Sequence, residues 1–119
     1  MIREFIDKLE NSNVEWYMFG SFIDRPFDAD DIDMAIIMDN DKRDIIVGSV
    51  VKFREVVGRV QINGYTKSLR KNHKDVDLVL LSDVYEKQKF LNVSGALPSR
   101  ECFSRGIITS NSLNAYQWR

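Results

Sequence analysis

The sequence predicts an α/β or α+β domain in which helices cover one face of a small sheet, and three observations carry that expectation. Apolar residues at helical spacing alternate along the chain with short runs of strand-like pattern, the order of elements from which two-layer domains are built. The 119 residues leave room for one core and no second domain, since a chain of this size buries roughly two-thirds of its unfolded surface. With 44% apolar and 29% charged residues, the composition is that of a folded chain rather than a disordered tail. Residues 1–119 are therefore read as a single domain.

Ile2, Phe5, Ile6 and Leu9 recur at helical spacing and Asn11-Ser12-Asn13 is a stop signal, so an amphipathic helix is expected over residues 2–11. Val14 to Phe19 is short, apolar and aromatic, the composition of a strand, with Trp16, Tyr17 and Phe19 as core side chains. Gly20-Ser21 ends that strand in a sharp turn. Pro26 and Asp28-Ala29-Asp30 mark residues 22–30 as loop. Asp31 to Met38 then alternates, placing Ile32, Met34, Ile36 and Met38 on one face and Asp31 and Asp33 on the other. Asn40 is the expected cap of a helix over about residues 41–57, whose Ile46, Val50, Phe53 and Val57 form an apolar stripe, and Gly58 ends it.

Val60 and Ile62 alternate like a short strand, whereas Thr66 to Lys74 is polar and basic and has no clear period. Asp75 to Leu81 is again a strand, with Asp75, Asp77, Val79 and Leu81 on one face and Val76, Leu78 and Leu80 on the other. Ser82 offers a cap for a helix to about Leu91, with Asp83 and Glu86 in its first turn, where carboxylates suit the helix dipole. Asn92 to Ser99, with Gly95 and Pro98, reads as loop, and a short helix is expected in the last twenty residues.

Charge and composition exclude several function classes. Seventeen basic side chains nearly balance eighteen acidic ones, which argues against a general polyanion binder. The basic run Lys67, Arg70, Lys71, His73 and Lys74 is read as a solvated loop, because no aromatic residue interleaves from Ser68 to Lys74 to stack bases. His73 stands alone and is a poor zinc ligand. For Arg25 a phosphate contact and a plain surface position are equally open. Cys102, the single cysteine, is expected to be a reduced, structurally minor thiol in an intracellular protein. Apolar runs such as Met34 to Met38 span about five residues, far short of the roughly 20 that cross a bilayer. Arg3-Glu4 interrupts the one candidate signal stretch. A soluble cytoplasmic protein with no membrane partner is expected.

The chemistry is expected where carboxylates gather. Asp31 and Asp33, two residues apart on a strand, project to the same side, and Asp77 converges on them if its strand lies alongside. Such crowding calls for a cation, and magnesium combines one or two carboxylates with waters and substrate phosphates. Two such ions, roughly 3.5–4 Å apart, activate an attacking hydroxyl and steady a departing pyrophosphate. Gly20 would let backbone amides approach phosphate oxygens, and Ser21 would add a hydroxyl donor. Asp75 is the competing third ligand, but its place at the strand mouth beside Lys74 favours Asp77.

The order Phe19-Gly20-Ser21, nine residues, Asp31-Ile32-Asp33-Met34 and later Val76-Asp77-Leu78 resembles the signature of the minimal nucleotidyltransferases of the DNA polymerase beta superfamily. The likeness covers roughly residues 14–81. It implies a palm-like α+β fold, a small mixed sheet covered by helices, with Gly20 and Ser21 holding a triphosphate. It also implies Asp31, Asp33 and Asp77 as catalytic metal ligands for Mg²⁺, with Mn²⁺ as a substitute, and Asp77 as general base or its metal-bound equivalent. The activity implied is transfer of a nucleoside monophosphate, AMP from ATP by preference, to a hydroxyl of a protein or small molecule. Some minimal members are antitoxins that adenylylate a partner toxin, so a toxin partner enters by the same resemblance. The chain departs from larger members in having no extra domain for primer, template or transfer RNA. Rival expectations are a non-catalytic nucleotide- or partner-binding module, such as an occluding antitoxin, and RNA-directed nucleotide addition, with nucleic acid as partner. An exposed sheet edge would permit a homo-oligomer.

Overall fold

Helix α1 (Ile2–Asn11) forms over the predicted residues and buries Ile2, Phe5, Ile6 and Leu9. Asn13 ends it in the left-handed region at φ 54°. The Asn13 N–H donates to Glu10 O at 3.1 Å and the Val14 N–H to Leu9 O at 3.0 Å. These are the two bonds of a Schellman motif, and Val14 and Leu9 supply its apolar contact in the core. The stop signal thus acts through asparagine's tolerance of positive φ. The computed structural model describes residues 2–26, 31–56, 59–62, 65–68, 75–82 and 84–109, of which the side chains at 31, 54–56, 59–62, 65–68 and 75 lie outside the description.

Strand β1 (Trp16–Phe19) is followed by a single helical turn, α2 (Ser21–Asp24), then β2 (Asp31–Ile37), a 3₁₀ turn (Asn40–Lys42) and α3 (Arg43–Val56). Strands β3 (Arg59–Ile62), β4 (Tyr65–Ser68) and β5 (Asp75–Leu81) follow, and then α4 (Val84–Ser94), β6 (Leu97–Pro98) and α5 (Ser99–Ser104). The six strands form one sheet in the order β4-β3-β5-β2-β1-β6. β2 and β3 each run parallel to β5, while the β1–β2, β1–β6 and β3–β4 pairs are antiparallel. The fold is accordingly α+β with a mixed sheet, and β4 and β6 are its edges.

The alternation read from the sequence decides which face each strand residue takes. Trp16, Met18, Ile32, Met34, Ile36, Val76 and Leu78 join the larger core under α1, α3 and α5. There Phe5 of α1 stacks on Phe53 of α3, ring centroids 4.4 Å apart and planes within 8°. Tyr17, Ala35, Ile37 and Leu81 form a smaller cluster on the opposite face, covered by Phe90 and Leu91 of α4. Helices therefore cover both faces, not one. The sequence pattern missed this because α4 buries no residue fully and has only a weak apolar stripe.

Three other expectations are corrected, and one stretch without a clear period is assigned. Ser21–Asp24 is helical rather than loop, because one turn suffices to drive Phe22, wholly buried, into the large core. Residues 27–30 of that expected loop lie outside the described ones. Asn40 is not the cap of α3: the chain first tightens into the 3₁₀ turn, closed by the Lys42 N–H on Asp39 O at 2.9 Å, and α3 begins at Arg43. Ile46, Val50 and Phe53 are buried as the stripe requires, whereas Val57 and Gly58 are outside the described residues. Thr66, within the stretch that shows no period, belongs to β4, a strand held by its pairing to β3. Finally, Asn92 to Ser99 is not loop. α4 continues to Ser94, Leu97–Pro98 pairs with β1, and α5 starts at Ser99. Pro98 is tolerated because β6 is an edge strand. The expected short helix near the C-terminus is α5, which ends at Gly106 (φ 73°) with the same pair of Schellman bonds as α1, Gly106 N–H to Phe103 O and Ile107 N–H to Cys102 O.

Candidate functional site

The parallel register of β2 and β5 puts Asp33 beside Asp77 and Asp31 beside Asp75. Register partners project to the same face of a sheet and stand about 4.8 Å apart. Asp33 and Asp77 are each part-buried. In the antiparallel β1–β2 pair Phe19 is opposite Asp33, and in the parallel β3–β5 pair Gln61 is beside Asp77. One row across four strands thus reads Phe19, Asp33, Asp77, Gln61. The two carboxylates lie on the face of the smaller apolar cluster, one pleat from Ala35 and Val79.

Gly20 meets this row from the end of β1. Its backbone is at φ 76° and ψ −159°, a region that only glycine occupies without strain. A Cβ built on it would lie 2.2 Å from Asp33 Oδ2 and 3.2 Å from Asp33 Cγ. The carboxylate occupies the space that any other residue's side chain would fill. Ser21, part-buried, opens α2 at the same place. Gly20, Ser21, Asp33 and Asp77 are thereby brought to one end of the sheet, with the backbone of Asp31 one pleat beyond.

Like charges directly opposite each other on neighbouring strands destabilise a sheet, and a cation would offset them. The donor set is one of hard oxygens, suited to magnesium and offering positions to substrate. Among the described residues no group of three or more His, Cys, Asp or Glu is gathered to hold a metal ion. The Asp31 and Asp75 side chains lie outside the described ones, so the described carboxylates at the site are the Asp33–Asp77 pair. Of the other candidates, Arg25 is exposed at the end of α2, Lys67 is in β4, and Arg70, Lys71, His73 and Lys74 lie outside the described residues.

A second polar cluster sits at the other end of β1. Tyr17 donates its hydroxyl to Glu15 Oε2, which also pairs with Lys87 Nζ of α4 at 2.6 Å. Burial, together with the adjacent Glu15 carboxylate, pushes Tyr17 up to about 12. Burial alone would raise Glu15, but the Lys87 ammonium and the Tyr17 hydroxyl outweigh it and hold the carboxyl below its usual value. This cluster fastens α4 to the sheet. Cys102 is wholly buried, its thiol pushed up to about 11 chiefly by burial, which makes it unreactive.

Sequence reasoning missed two features of the site: the pairing of Asp75 with Asp31, and Phe90 of α4, which packs on Phe19. The first depends on strand order, which no local pattern states. The second depends on a helix whose apolar stripe is faint. Among the described residues no helix is long and apolar enough to cross a membrane. A scan against protein-family models, a search of curated proteins and a search of solved structures found no match to this chain.

Proposed function

We propose that the chain is a nucleotidyltransferase of the minimal kind found in the DNA polymerase beta superfamily, moving AMP from ATP to a hydroxyl of a protein or small molecule. The observation that carries the reading is the Gly20–Asp33–Asp77 junction: three separate strands bring the residues of the motif to one place, with Asp33 Oδ2 on the Cα side of a glycine that must be glycine. A chance Asp-x-Asp on a surface strand would need neither the second strand's aspartate in register nor the cleared space at Gly20.

Asp31, Asp33 and Asp77 would hold magnesium, which supplies neutralisation of triphosphate charge and polarisation of the reacting oxygens. Gly20 and Ser21 would orient the triphosphate tail through close backbone approach and the serine hydroxyl. The acceptor's hydroxyl oxygen then forms a bond to the α-phosphorus while the α–β bridging oxygen leaves with pyrophosphate. The hydroxyl proton passes to the Asp77 carboxylate. Asp77 suits this role because it is part-buried on β5, which lies inside the sheet between β2 and β3.

Isothermal titration of the wild-type chain and of Asp31→Asn/Asp33→Asn with each nucleoside triphosphate, with and without Mg²⁺, tests the site. Metal-dependent binding by the wild type alone is expected. Absence of binding to every triphosphate would leave a domain acting through protein contacts and refute the reading. Asp33→Asn alone should abolish transfer while leaving the unfolding midpoint near that of the wild type.

A further inference from the structure

We infer that the Phe19–Phe90 pair is the wall against which the base of the bound nucleotide stacks, and that it selects purine over pyrimidine nucleotides. The inference rests on the nucleotidyltransferase reading of the Asp33–Asp77 site. Phe19 is the register partner of Asp33 and so shares its face on the adjoining strand. Phe90 of α4 meets it edge to face, centroids 5.0 Å apart and planes at 80°. Such a pair engages only one face of one ring, and both residues are part-buried, so aromatic surface stays accessible beside the carboxylates.

The layout also separates the two ends of a nucleotide. Gly20 and Ser21 lie past the end of β1, where a triphosphate tail would run. Phe19 and Phe90 lie back over the sheet, next to the apolar Ala35 and Val79, where charged phosphates would be poorly placed and a flat, weakly polar base well placed. α4 is kept over that face by the Lys87–Glu15 ion pair at 2.6 Å. A larger bicyclic base covers more of the wall than a monocyclic one, and stacking on aromatic side chains depends on that overlap.

The test uses the full chain and two probes, ATP and base-free inorganic tripolyphosphate, each titrated with Mg²⁺ by calorimetry. Removing one stacking ring should weaken ATP binding by about fivefold or more, so Phe90→Ala should lose that much for ATP and nothing for tripolyphosphate. Phe90→Leu, which keeps an apolar contact for α4, should show the same split, and Phe90→Tyr should restore ATP binding. The wild type should bind ATP and GTP more tightly than CTP and UTP. Unchanged ATP affinity in both Phe90→Ala and Phe90→Leu, an equal loss for both probes, or indifference to the base would overturn the wall while leaving the carboxylate site standing. A wild type that binds neither probe would overturn the site reading itself, and the wall with it.

Discussion

Gly20→Ala separates the backbone role of this glycine from its role as a cleared space for Asp33. At φ 76° and ψ −159°, a residue with a Cβ costs about 1–3 kcal/mol. The added methyl would also stand 2.2 Å from Asp33 Oδ2, well inside van der Waals contact. That oxygen is the far end of a short side chain, so the carboxylate swings aside rather than the strand, at about 0.5–1.5 kcal/mol for an off-rotamer χ. The sum is about 1.5–4.5 kcal/mol, and each kcal/mol lowers the melting temperature of a domain of this size by roughly 4 °C. Urea unfolding should show the loss, and a double-mutant cycle with Asp33→Ala should recover only the rotamer part, since the backbone part does not depend on Asp33. On the proposed function, the displaced carboxylate should also cost about 10- to 100-fold in metal-dependent nucleotide affinity. A Gly20→Ala chain within about 0.5 kcal/mol of wild type would refute the strain argument, and one that also binds nucleotide unchanged would refute the placement of Asp33.

Three further outcomes follow from features away from the site. Gly48 lies inside α3, and a Cβ there meets nothing within 4 Å, so Gly48→Ala should raise stability by about 0.5–1 kcal/mol in urea unfolding; a loss would mean that something occupies the space beside Gly48. Tyr17, raised from 10.0 to about 12 in the fold, stabilises the folded chain fully below pH 10, and that contribution is lost as pH rises through about 12, because the unfolded chain gives up the proton first. Unfolding midpoints of wild type and Tyr17→Phe should therefore converge across that window, and curves that stay parallel would show that the phenol titrates alike in both states. At the acid end, Glu15 has its pKa lowered in the fold, so its contribution is present above 4.5 and lost as pH falls through the lower folded value, and Glu15→Gln should remove that acid-side loss.

What could be read from the chain depended on whether the determining contact was local. Helix α1, strands β2 and β5 and their facing were legible to the residue or nearly so. Each is dictated by its own period: four apolar residues on one helical face, or strand residues that alternate between the two faces of the sheet. The Gly20-Ser21 turn and the aspartates were legible for the same reason. The elements that local pattern did not show are those that exist because of a neighbour. α2 is one turn long and is held by Phe22 in the core. β6 has two residues and exists as a strand because Tyr17 and Met18 offer it partners.

The candidate site divides along the same line. Its members are motif residues, but its geometry is a product of strand order, in which β5 is inserted between β2 and β3. Only that insertion makes Asp77, rather than some nearer carboxylate, the neighbour of Asp33. Had β3 paired with β2 directly, Gln61 or Arg59 would have stood where Asp77 stands and the row would have held one described carboxylate instead of two. The spacing of aspartates in the sequence is therefore necessary for this site but not sufficient. The crossover that carries the chain from β2 through α3 to the far side of β5 turns two separate motifs into one place where a triphosphate and its metal could be held.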